Sequence, residues 1–197
     1  MAWDTQRTRR LLLEAATAEF SERGLAGGRV DRIADDAGIN KQRIYKYFGS
    51  KADLFDEVVA AEMIRVMALI PITGTGREAV LSYARRMVEY HWDDRTLARL
   101  LFWESLENRP PTNSPERLEL SREKVEALAE AVPGLGAAQA AELVFFIVAV
   151  ACSTPILGHV DRQLVGPQAD QARRRDLMTA AVAGYLDSLL DSTPRGS

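Results

Sequence analysis

Residues 30–51, VDRIADDAGINKQRIYKYFGSK, have the pattern of two short helices joined by a tight turn. Apolar residues spaced at i, i+3, i+4 and i+7 give the first helix one buried face. They are Val30, Ile33, Ala34 and Ala37. Gly38 allows the turn because glycine adopts backbone angles that other residues resist, and Asn40 is of a type that caps helix N-termini. The pattern predicts a helix-turn-helix, the unit that commonly places a helix in the major groove of DNA.

The second helix of this unit, residues 41–48, separates apolar from basic positions. Ile44 and Phe48 lie four residues apart and are expected to face inward. We expect the outward side chains to contact DNA, with Arg43 first, because a guanidinium can bind O6 and N7 of guanine together. The residues of this unit that we predict to contact DNA are Asn40, Lys41, Gln42, Arg43, Tyr45, Lys46 and Tyr47.

For the other members of this set the sequence leaves more than one role open. Gln42 suits adenine, and Lys41 can reach either a base or a phosphate. The phenolic hydroxyls of Tyr45 and Tyr47 are expected to donate to phosphate oxygens, although Tyr45 can equally belong to the core. The alternative for the charged residues is that they form an ordinary solvated helix face.

Charge is unevenly distributed along the chain. Residues 1–51 carry ten Lys or Arg and seven Asp or Glu, a net charge of +3, whereas the whole chain carries −3. The remaining residues therefore carry −6. A basic segment on an acidic body is typical of a protein that touches DNA with one end rather than coating it.

The composition restricts the class of protein further. With 47% hydrophobic and 27% charged residues among 197, the chain is typical of a soluble globular protein of one or two domains. A single cysteine excludes an internal disulfide and a cysteine-rich zinc site. The start of the chain lacks the pattern of a secretory signal, and the longest uninterrupted apolar run, residues 143–152, is about half the length of a membrane span. We therefore expect a cytoplasmic protein without a membrane partner.

Helical periodicity extends over nearly the whole sequence, and no stretch has the alternation typical of a strand. We predict an all-α fold of about nine helices, with a three-helix DNA-binding domain over residues 1–51. A helical bundle for ligand binding and dimerisation follows over residues 52–197, and a helix at about 51–70 bridges the two. The predicted helices are 5–22, 30–37, 41–48, 51–69, 77–92, 96–107, 115–131, 137–157 and 169–190, with a loop over 158–168. Ser50 is of a type that caps helix N-termini and is expected to cap the fourth helix.

The first 55 residues resemble the DNA-binding domain of the tetracycline-repressor (TetR) family of bacterial regulators. The matching strings are RRLLLEAATAEFSERG and VDRIADDAGINKQRIYKYFGSKADLF. The residues that carry the resemblance are Ala15, Ala16, Phe20, Gly24, Ile33, Ala34, Ala37, Gly38, Tyr45, Tyr47, Phe48, Lys51 and Leu54. The rest of the chain matches the family only in being a long helical bundle.

The resemblance implies a homodimer that binds a palindromic operator and leaves it when a small molecule enters the C-terminal domain. It also implies that Lys51, at the start of a helix, binds phosphate. The family usually has Ser or Thr at the head of the second helix, where this chain has Arg29. A guanidinium can bind the phosphate but cannot accept the capping hydrogen bond, so we expect Arg29 to contact DNA without capping the helix.

Small residues on the last helix predict a close approach of another helix. The residues of this face are Leu177, Ala180, Ala181, Gly184 and Ser188. One reading is packing within the chain. The other, which the resemblance favours, is a four-helix dimer interface made by the last two predicted helices of each subunit.

Large side chains of the C-terminal bundle are candidates for lining an effector cavity, although many such residues only fill a core. The predicted ligand-binding residues are Met63, Met67, Met87, Tyr90, His91, Phe102, Trp103 and Phe146, and Trp92 and Phe145 are further candidates for lining the cavity. Glu104, Asn108 and His159 are further polar candidates for orienting a ligand. The apolar excess predicts a hydrophobic or aromatic effector.

Sequence signatures of catalysis are missing: there is no Walker loop, no G-x-S-x-G elbow and no H-E-x-x-H motif. Neither of the two histidines has ligand spacing that indicates zinc. We therefore expect no enzyme, no metal and no cofactor, but a ligand-responsive transcriptional repressor. The alternative is an architectural or constitutive DNA-binding protein without a small-molecule effector, which would not need the long apolar bundle.

Overall fold

The computed structural model describes residues 2–107, 109–166 and 168–191, and every regular element in these ranges is an α-helix. The ten helices are α1 (Ala2–Gly27), α2 (Val30–Ala37), α3 (Lys41–Phe48), α4 (Lys51–Leu69), α5 (Gly76–Asp93), α6 (Thr96–Ser105), α7 (Ser114–Ala131), α8 (Ala137–Ile156), α9 (Gly158–Leu164) and α10 (Gln171–Asp191). The predicted all-α class is confirmed. Asn108 and the tail after residue 191 lie outside the described residues.

Two expectations about individual elements need correction. The prediction of a loop over residues 158–168 is wrong for its first part, which is α9, so there are ten helices rather than nine. This helix has seven residues, fewer than two full turns, and is too short to display a helical period in the sequence. The first helix is also longer than the predicted 5–22, because it resumes after a break at Gly24.

The chain divides by its internal contacts into two compact units, Met1–Arg65 with Thr96–Arg117, and Val66–Arg95 with Leu118–Ser197. The division lies inside α4, whereas the sequence placed the domain boundary at residue 51. The reason that α6 joins the first unit is its packing on α1, where Arg99 Nε donates to the carbonyl of Ser21 at 2.6 Å.

The core of the first unit is formed by α1 to α4 with one residue of α6. Phe20 of α1 meets Phe55 of α4 edge to face, with ring centroids 5.3 Å apart, and both side chains are fully buried. The other buried residues of this core are Leu12, Ala16, Leu25, Val30, Ile33, Ala34, Ile44, Phe48, Leu54, Val58, Val59 and Leu100. The inward faces predicted for α2 and α3 are thus confirmed, and the short α3 is held by α2 and the surrounding core.

Gly24 interrupts α1 with a backbone conformation, φ 66° and ψ −177°, that is nearly restricted to glycine. The ring of Trp103 also lies against it, and a Cβ at this position would be 2.7 Å from Trp103 Cδ2. Gly24 is therefore required both by the turn at the end of α1 and by the close approach of α6.

We expect Gly24→Ala to lower the free energy of unfolding by about 2–4 kcal/mol, since backbone strain and overlap with Trp103 add together. Gly38→Ala is the matched control, because Gly38 has φ 64° but a Cβ there would have nothing within 4 Å. Its cost is limited to about 1 kcal/mol of backbone strain. Urea denaturation of both variants tests this, and equal losses would exclude the contact with Trp103 as a cause.

Asp56 of α4 fixes the segment between α6 and α7, and its side chain is 1% exposed. Its carboxylate accepts from both Nη atoms of Arg109 at 2.8 and 2.9 Å, and from the N–H and hydroxyl of Thr112 at 2.8 and 2.9 Å. Asn113 Nδ2 donates to the backbone carbonyl of Asp56 at 2.8 Å. Burial alone would raise the pKa of Asp56, but the hydrogen bonds from Arg109 and Thr112 outweigh it and lower the pKa below its ordinary value.

The second unit is built on α5, α8 and α10, which pack on one another, while α9 packs on α8. Buried residues recur along all three helices, among them Val80 and Ala84 of α5, Leu143 and Ile147 of α8, and Leu186 of α10. By length and composition α8 is apolar enough to cross a membrane, as core helices of other proteins are, and less than a third of it is buried within this chain. A large part of its apolar surface therefore faces outward in the single chain.

Candidate DNA-binding surface and ligand cavity

The turn between α2 and α3 has the geometry predicted from its residues. Gly38 ends α2 in the left-handed conformation, φ 64° and ψ 32°. Asn40 caps α3, because its Oδ1 accepts from the backbone N–H of Gln42 at 2.8 Å. Ile44 and Phe48 of α3 are buried, so the remaining side chains of the helix are directed away from the core. The turn therefore orients one face of α3 outward.

The N-terminus of α2 is stabilised by a residue that sequence reasoning missed, Glu19 of α1. Arg29 makes no side-chain cap, as expected, but its backbone N–H donates to Glu19 Oε1 at 2.7 Å. Arg32 donates from Nε to the same carboxylate at 2.9 Å, and Glu19 is only 6% exposed. The hydrogen bond from Arg32 is the main reason that the pKa of Glu19 lies below its ordinary value, against the effect of burial. Glu19 thus accepts from the backbone N–H of the N-cap residue, as the glutamate of a capping box does, but it does so from α1 rather than from within α2.

The outward face of α3 is polar and basic. Five of the predicted residues on it are exposed: Lys41, Gln42, Arg43, Tyr45 and Lys46. Tyr45 is 45% exposed, so the core reading for this residue is wrong. Within the described parts of the chain Arg43 has no ion pair or side-chain hydrogen bond, and Arg29 at the head of α2 likewise has an exposed side chain without one. Both guanidinium groups are therefore free to bind an anion.

Lys41 and two further predicted residues, Lys51 and Tyr47, already have partners within the protein. Lys41 Nζ lies 2.7 Å from Asp31 Oδ1, and this hydrogen bond raises the pKa of Lys41 and lowers that of Asp31. Lys51 Nζ donates to the carbonyl of Gly28 at 3.0 Å and is half-buried. Tyr47 is half-buried against the core, with its ring 6.3 Å from that of Phe48. A phosphate would have to replace Asp31 or Gly28 as the partner of these two lysines.

Ser50 begins α4 as its cap, because its hydroxyl accepts from the backbone N–H of Asp53 at 3.0 Å and donates to the carboxylate of Asp53 at 2.6 Å. The sequence prediction of this cap is confirmed. Lys51 and the adjacent turn are thereby held in place directly after α3.

The predicted ligand residues do not surround one cavity. In the first unit, Met63 and Trp103 pack against the core, Phe102 is 41% exposed, and Arg117 binds both Met63 Sδ and Glu104. In the second unit, Met87 is buried and Tyr90 donates its hydroxyl to Asp94 at 2.9 Å. Met67 is half-buried, and Phe146 stacks on Tyr185 with ring centroids 4.5 Å apart. Most of these large side chains therefore pack against their own neighbours.

A cavity of about 310 Å³ does lie within the second unit, at the carboxyl-terminal ends of α5 and α8, beside α9 and the start of α10. Its lining combines charged and polar side chains with tryptophan, proline, glycine and alanine, and it includes two of the residues proposed from the sequence, His91 and Trp92. The lining residues whose side chains carry a nitrogen or oxygen atom are His91, Trp92, Arg95, Thr154, Asp161, Arg162, Gln171 and Arg174. The volume is at the lower end of the range of small-molecule sites. Sequence reasoning identified little of this cavity, because its residues come from two stretches far apart in the chain, 91–95 and 154–174.

His91 is 1% exposed, and its Nδ1 has no hydrogen-bond partner among the described residues. Burial lowers the pKa of His91 from 6.5 to about 4, and the nearby Asp94 carboxylate opposes this only in part. The imidazole is therefore neutral near pH 7.

The buried neutral His91 predicts a loss of stability in mild acid. The unfolded chain takes up a proton on this side chain below its ordinary pKa of 6.5, whereas the folded chain does so only near 4. Protonation of the unfolded chain therefore lowers the free energy of unfolding as the pH falls below 6.5, by about 2 kcal/mol between pH 7 and pH 5. Denaturant titrations of the parent protein and of His91→Leu at both pH values test this. From pH 7 to pH 5 the free energy of unfolding of the variant should fall by about 2 kcal/mol less than that of the parent. An identical pH dependence in the two proteins would contradict it.

All residues of the predicted dimer face of α10 are exposed in the single chain: Leu177, Ala180, Ala181, Gly184 and Ser188. The buried side of the helix is instead formed by Thr179, Val182 and Leu186. The neighbouring α8 exposes Phe145, 71% accessible, with Ala141 and Ala149 one turn to either side. The small residues of α10 therefore do not serve packing within this chain.

Comparison with known proteins finds two family models along the chain. The family model described as bacterial regulatory proteins, tetR family, matches residues 12–58, and the model described as tetracyclin repressor-like, C-terminal domain, matches residues 80–183. The chain is 35% identical over 176 residues to the HTH-type transcriptional repressor SCO4008 of Streptomyces coelicolor, covering 84% of this chain and 87% of that protein.

Solved structures show the same fold. The transcriptional regulator SCO4942 from Streptomyces coelicolor matches with a TM-score of 0.69 and 26% identity, covering 90% of this chain and 97% of that one. The regulator FadR from Bacillus subtilis, solved with stearoyl-CoA, has a TM-score of 0.64 at 19% identity, covering 89% of this chain and 98% of that one, and shares the fold. On the matches to both family models and to a repressor along most of its length, the chain belongs to the TetR family of bacterial transcriptional regulators.

Proposed function

We propose that this protein is a homodimeric repressor that binds a palindromic operator and is released by a small-molecule effector. The observation that carries the proposal is the division of α3 into a buried side, Ile44 and Phe48, and an exposed side with Arg43 free of partners among the described residues. Such a helix presents its N-terminal side chains to base edges in the major groove. Arg29, Lys46 and Lys51 supply positive charge around it for phosphates.

A second copy of the chain is the proposed partner of the exposed faces of α8 and α10. The two helices pack on each other, and the outward surface combines small residues such as Ala181 and Gly184 with the exposed Phe145. Small residues let helices approach closely, and a two-fold axis would place two copies of α3 on the same side of the duplex. A symmetric dimer explains why an operator should be palindromic.

The proposed response to the effector passes through α4. This helix starts with Lys51, beside α3, and continues past the division between the two compact units. A change in its tilt would alter the spacing of the two DNA-binding heads. An effector can produce that change only if it binds the released state more tightly than the operator-bound state.

Selection of duplexes from a random pool, followed by genomic footprinting of the purified full-length protein, tests the proposal. We expect enrichment of a palindrome with half-sites about one or more helical turns apart. Enrichment of nothing at physiological salt would overturn it. An architectural DNA-binding protein is distinguished by a metabolite screen, since only a sensor is both stabilised by a ligand and released from its operator by it.

We expect Arg43→Ala to weaken operator binding by about 1–3 kcal/mol and to relax base preference at one position of each half-site. Arg43→Lys is the informative companion, because lysine keeps the charge but cannot donate two parallel hydrogen bonds to one guanine. It should lose the base preference as well. Sequence selection with each variant measures this, and an unchanged consensus for Arg43→Ala would remove Arg43 from base recognition.

A further inference from the structure

Two residues that line the cavity of the second unit each carry a buried polar atom that has no partner among the described residues. One is Nδ1 of His91, whose side chain is almost fully buried. The other is Oγ1 of Thr154 on α8. A helical threonine commonly donates to the carbonyl four residues earlier, but that carbonyl, Val150, accepts from the hydroxyl of Ser153 at 2.7 Å.

Unpaired buried polar groups are costly, and a bound molecule is a common way to satisfy them. Because both His91 and Thr154 line the same cavity, one ligand can reach both. A ligand hydroxyl can donate to one of these two groups and accept from the other, and a ligand carbonyl can accept from the threonine hydroxyl and from the imidazole tautomer that carries its proton on Nδ1. The inner part of the cavity is therefore suited to a neutral hydrogen-bonding group.

The charged residues of the cavity are unbalanced in favour of cations. Three arginines line it, Arg95, Arg162 and Arg174, against one carboxylate, Asp161. Arg174 forms an ion pair with Asp161, which accounts for that carboxylate. The guanidinium of Arg162 approaches only His159 Nδ1, at 2.8 Å, and Arg95 is exposed without an ion pair in the part of the chain that the structure describes. Two guanidinium groups are thus left for an anion.

We propose that this cavity binds a small organic carboxylate that also carries a hydroxyl or carbonyl group. Its carboxylate lies between Arg95 and Arg162, and its second polar group satisfies His91 and Thr154. The indole of Trp92 and the ring of Pro155 are walls for an apolar or aromatic body between the two polar ends. This inference rests on the proposed function, because the carboxylate is taken to be the effector that releases the operator.

The test is a panel of monocarboxylates of about eight to fifteen non-hydrogen atoms, each with one hydroxyl or keto group, measured on the full-length protein. Each carboxylate is paired with its primary amide, which keeps the shape and removes the charge. Inorganic phosphate and phosphate monoesters form a second arm that distinguishes carboxylate recognition from general anion binding. At a hundred times its Kd, a carboxylate of the right shape should raise Tm by about 5–10 °C.

Variants locate the binding. The double variant Arg95→Gln, Arg162→Gln should raise the Kd of the best carboxylate about tenfold or more, and Thr154→Val should also weaken it. Arg85→Gln, an exposed arginine of α5 that does not line the cavity, is the control and should leave the Kd unchanged. The inference is overturned if no carboxylate binds, if the amides bind equally well, if only phosphates bind, or if the double variant binds like the parent.

Operator binding without ligand is measured in parallel to separate the two proposals. Binding to a selected operator with no response to any carboxylate would overturn this inference and leave the proposed DNA recognition standing. Carboxylate binding by a protein that selects no duplex would support the cavity and refute the repressor.

Discussion

Replacing Ala181 with glutamate should produce monomers that lose the operator. Ala181 lies in the middle of the exposed small-residue face of α10, beside Gly184 and one turn from Leu177, which is 59% exposed. If a second chain covers this face, the substitution places two carboxylates against closely packed helices near a two-fold axis. The loss of hydration and the mutual repulsion cost several kcal/mol, enough to dissociate a dimer at micromolar concentration.

The consequence for DNA binding is larger than the loss of one contact. A monomer binds one half-site without the second DNA-binding domain of the dimer, so operator affinity should fall by about a hundredfold or more. Sedimentation velocity and operator titration on the same sample measure both effects. Ala172→Glu is the matched control, since it makes the same change at an exposed position in the first turn of α10, outside the face. A tight dimer for Ala181→Glu would show that α10 is not the interface.

Loss of the Asp56 carboxylate should have the largest effect on folding. The Asp56→Ala variant leaves Arg109 facing a buried site without its anion, and it also removes the acceptor for Thr112. Removing one partner of a buried pair costs about 3 kcal/mol or more, which corresponds to a fall in Tm of about 6–12 °C. Because these hydrogen bonds hold the segment after α6 to α4, proteolysis within residues 109–113 should accelerate as well.

A neighbouring carboxylate provides the control for this variant. Glu57 pairs with Arg9, but both side chains are nearly half exposed, at 43% and 46%. Glu57→Ala should therefore cost no more than about 1 kcal/mol. The lowered pKa of Asp56 also predicts a pH dependence. The charged carboxylate stabilises the folded state fully above its ordinary pKa of 3.8, and this stabilisation is lost as the pH falls below that value. Similar losses for the two variants would contradict the special role of Asp56.

The features that sequence reasoning identified correctly depend on neighbours along the chain. The caps by Asn40 and Ser50, the turn at Gly38 and the inward faces of α2 and α3 all follow from residues within one or two turns. These interactions are local, so the residue order is enough to reveal them. The all-α class follows from the same helical periodicity.

The features that sequence reasoning missed join distant segments. Glu19 reaches the N-terminus of α2 from ten residues away, and Asp56 meets Arg109 across 53 residues. No local pattern distinguishes these carboxylates from others on the same helices. The cavity is a similar case: most of the large side chains proposed from the sequence lie elsewhere, while the cavity is lined mainly by residues of other types, three arginines among them. The exposed face of α10 was predicted, and its partner stays a proposal.

The internal ion pairs of the first unit change what its basic residues can offer to a polyanion. Of the ten cationic side chains among residues 1–51, Arg9, Arg10, Arg23, Arg32 and Lys41 are each within 4 Å of a carboxylate. A cationic side chain that is already paired with a carboxylate neutralises less phosphate charge, so its binding releases fewer of the cations condensed on the duplex. We therefore expect weak attraction to arbitrary DNA, with binding dependent on the guanidinium and ammonium groups that have no internal anion among the described residues. A protein with weak non-specific affinity, whose specificity comes from base contacts of one helix, is expected to dissociate quickly from non-operator DNA.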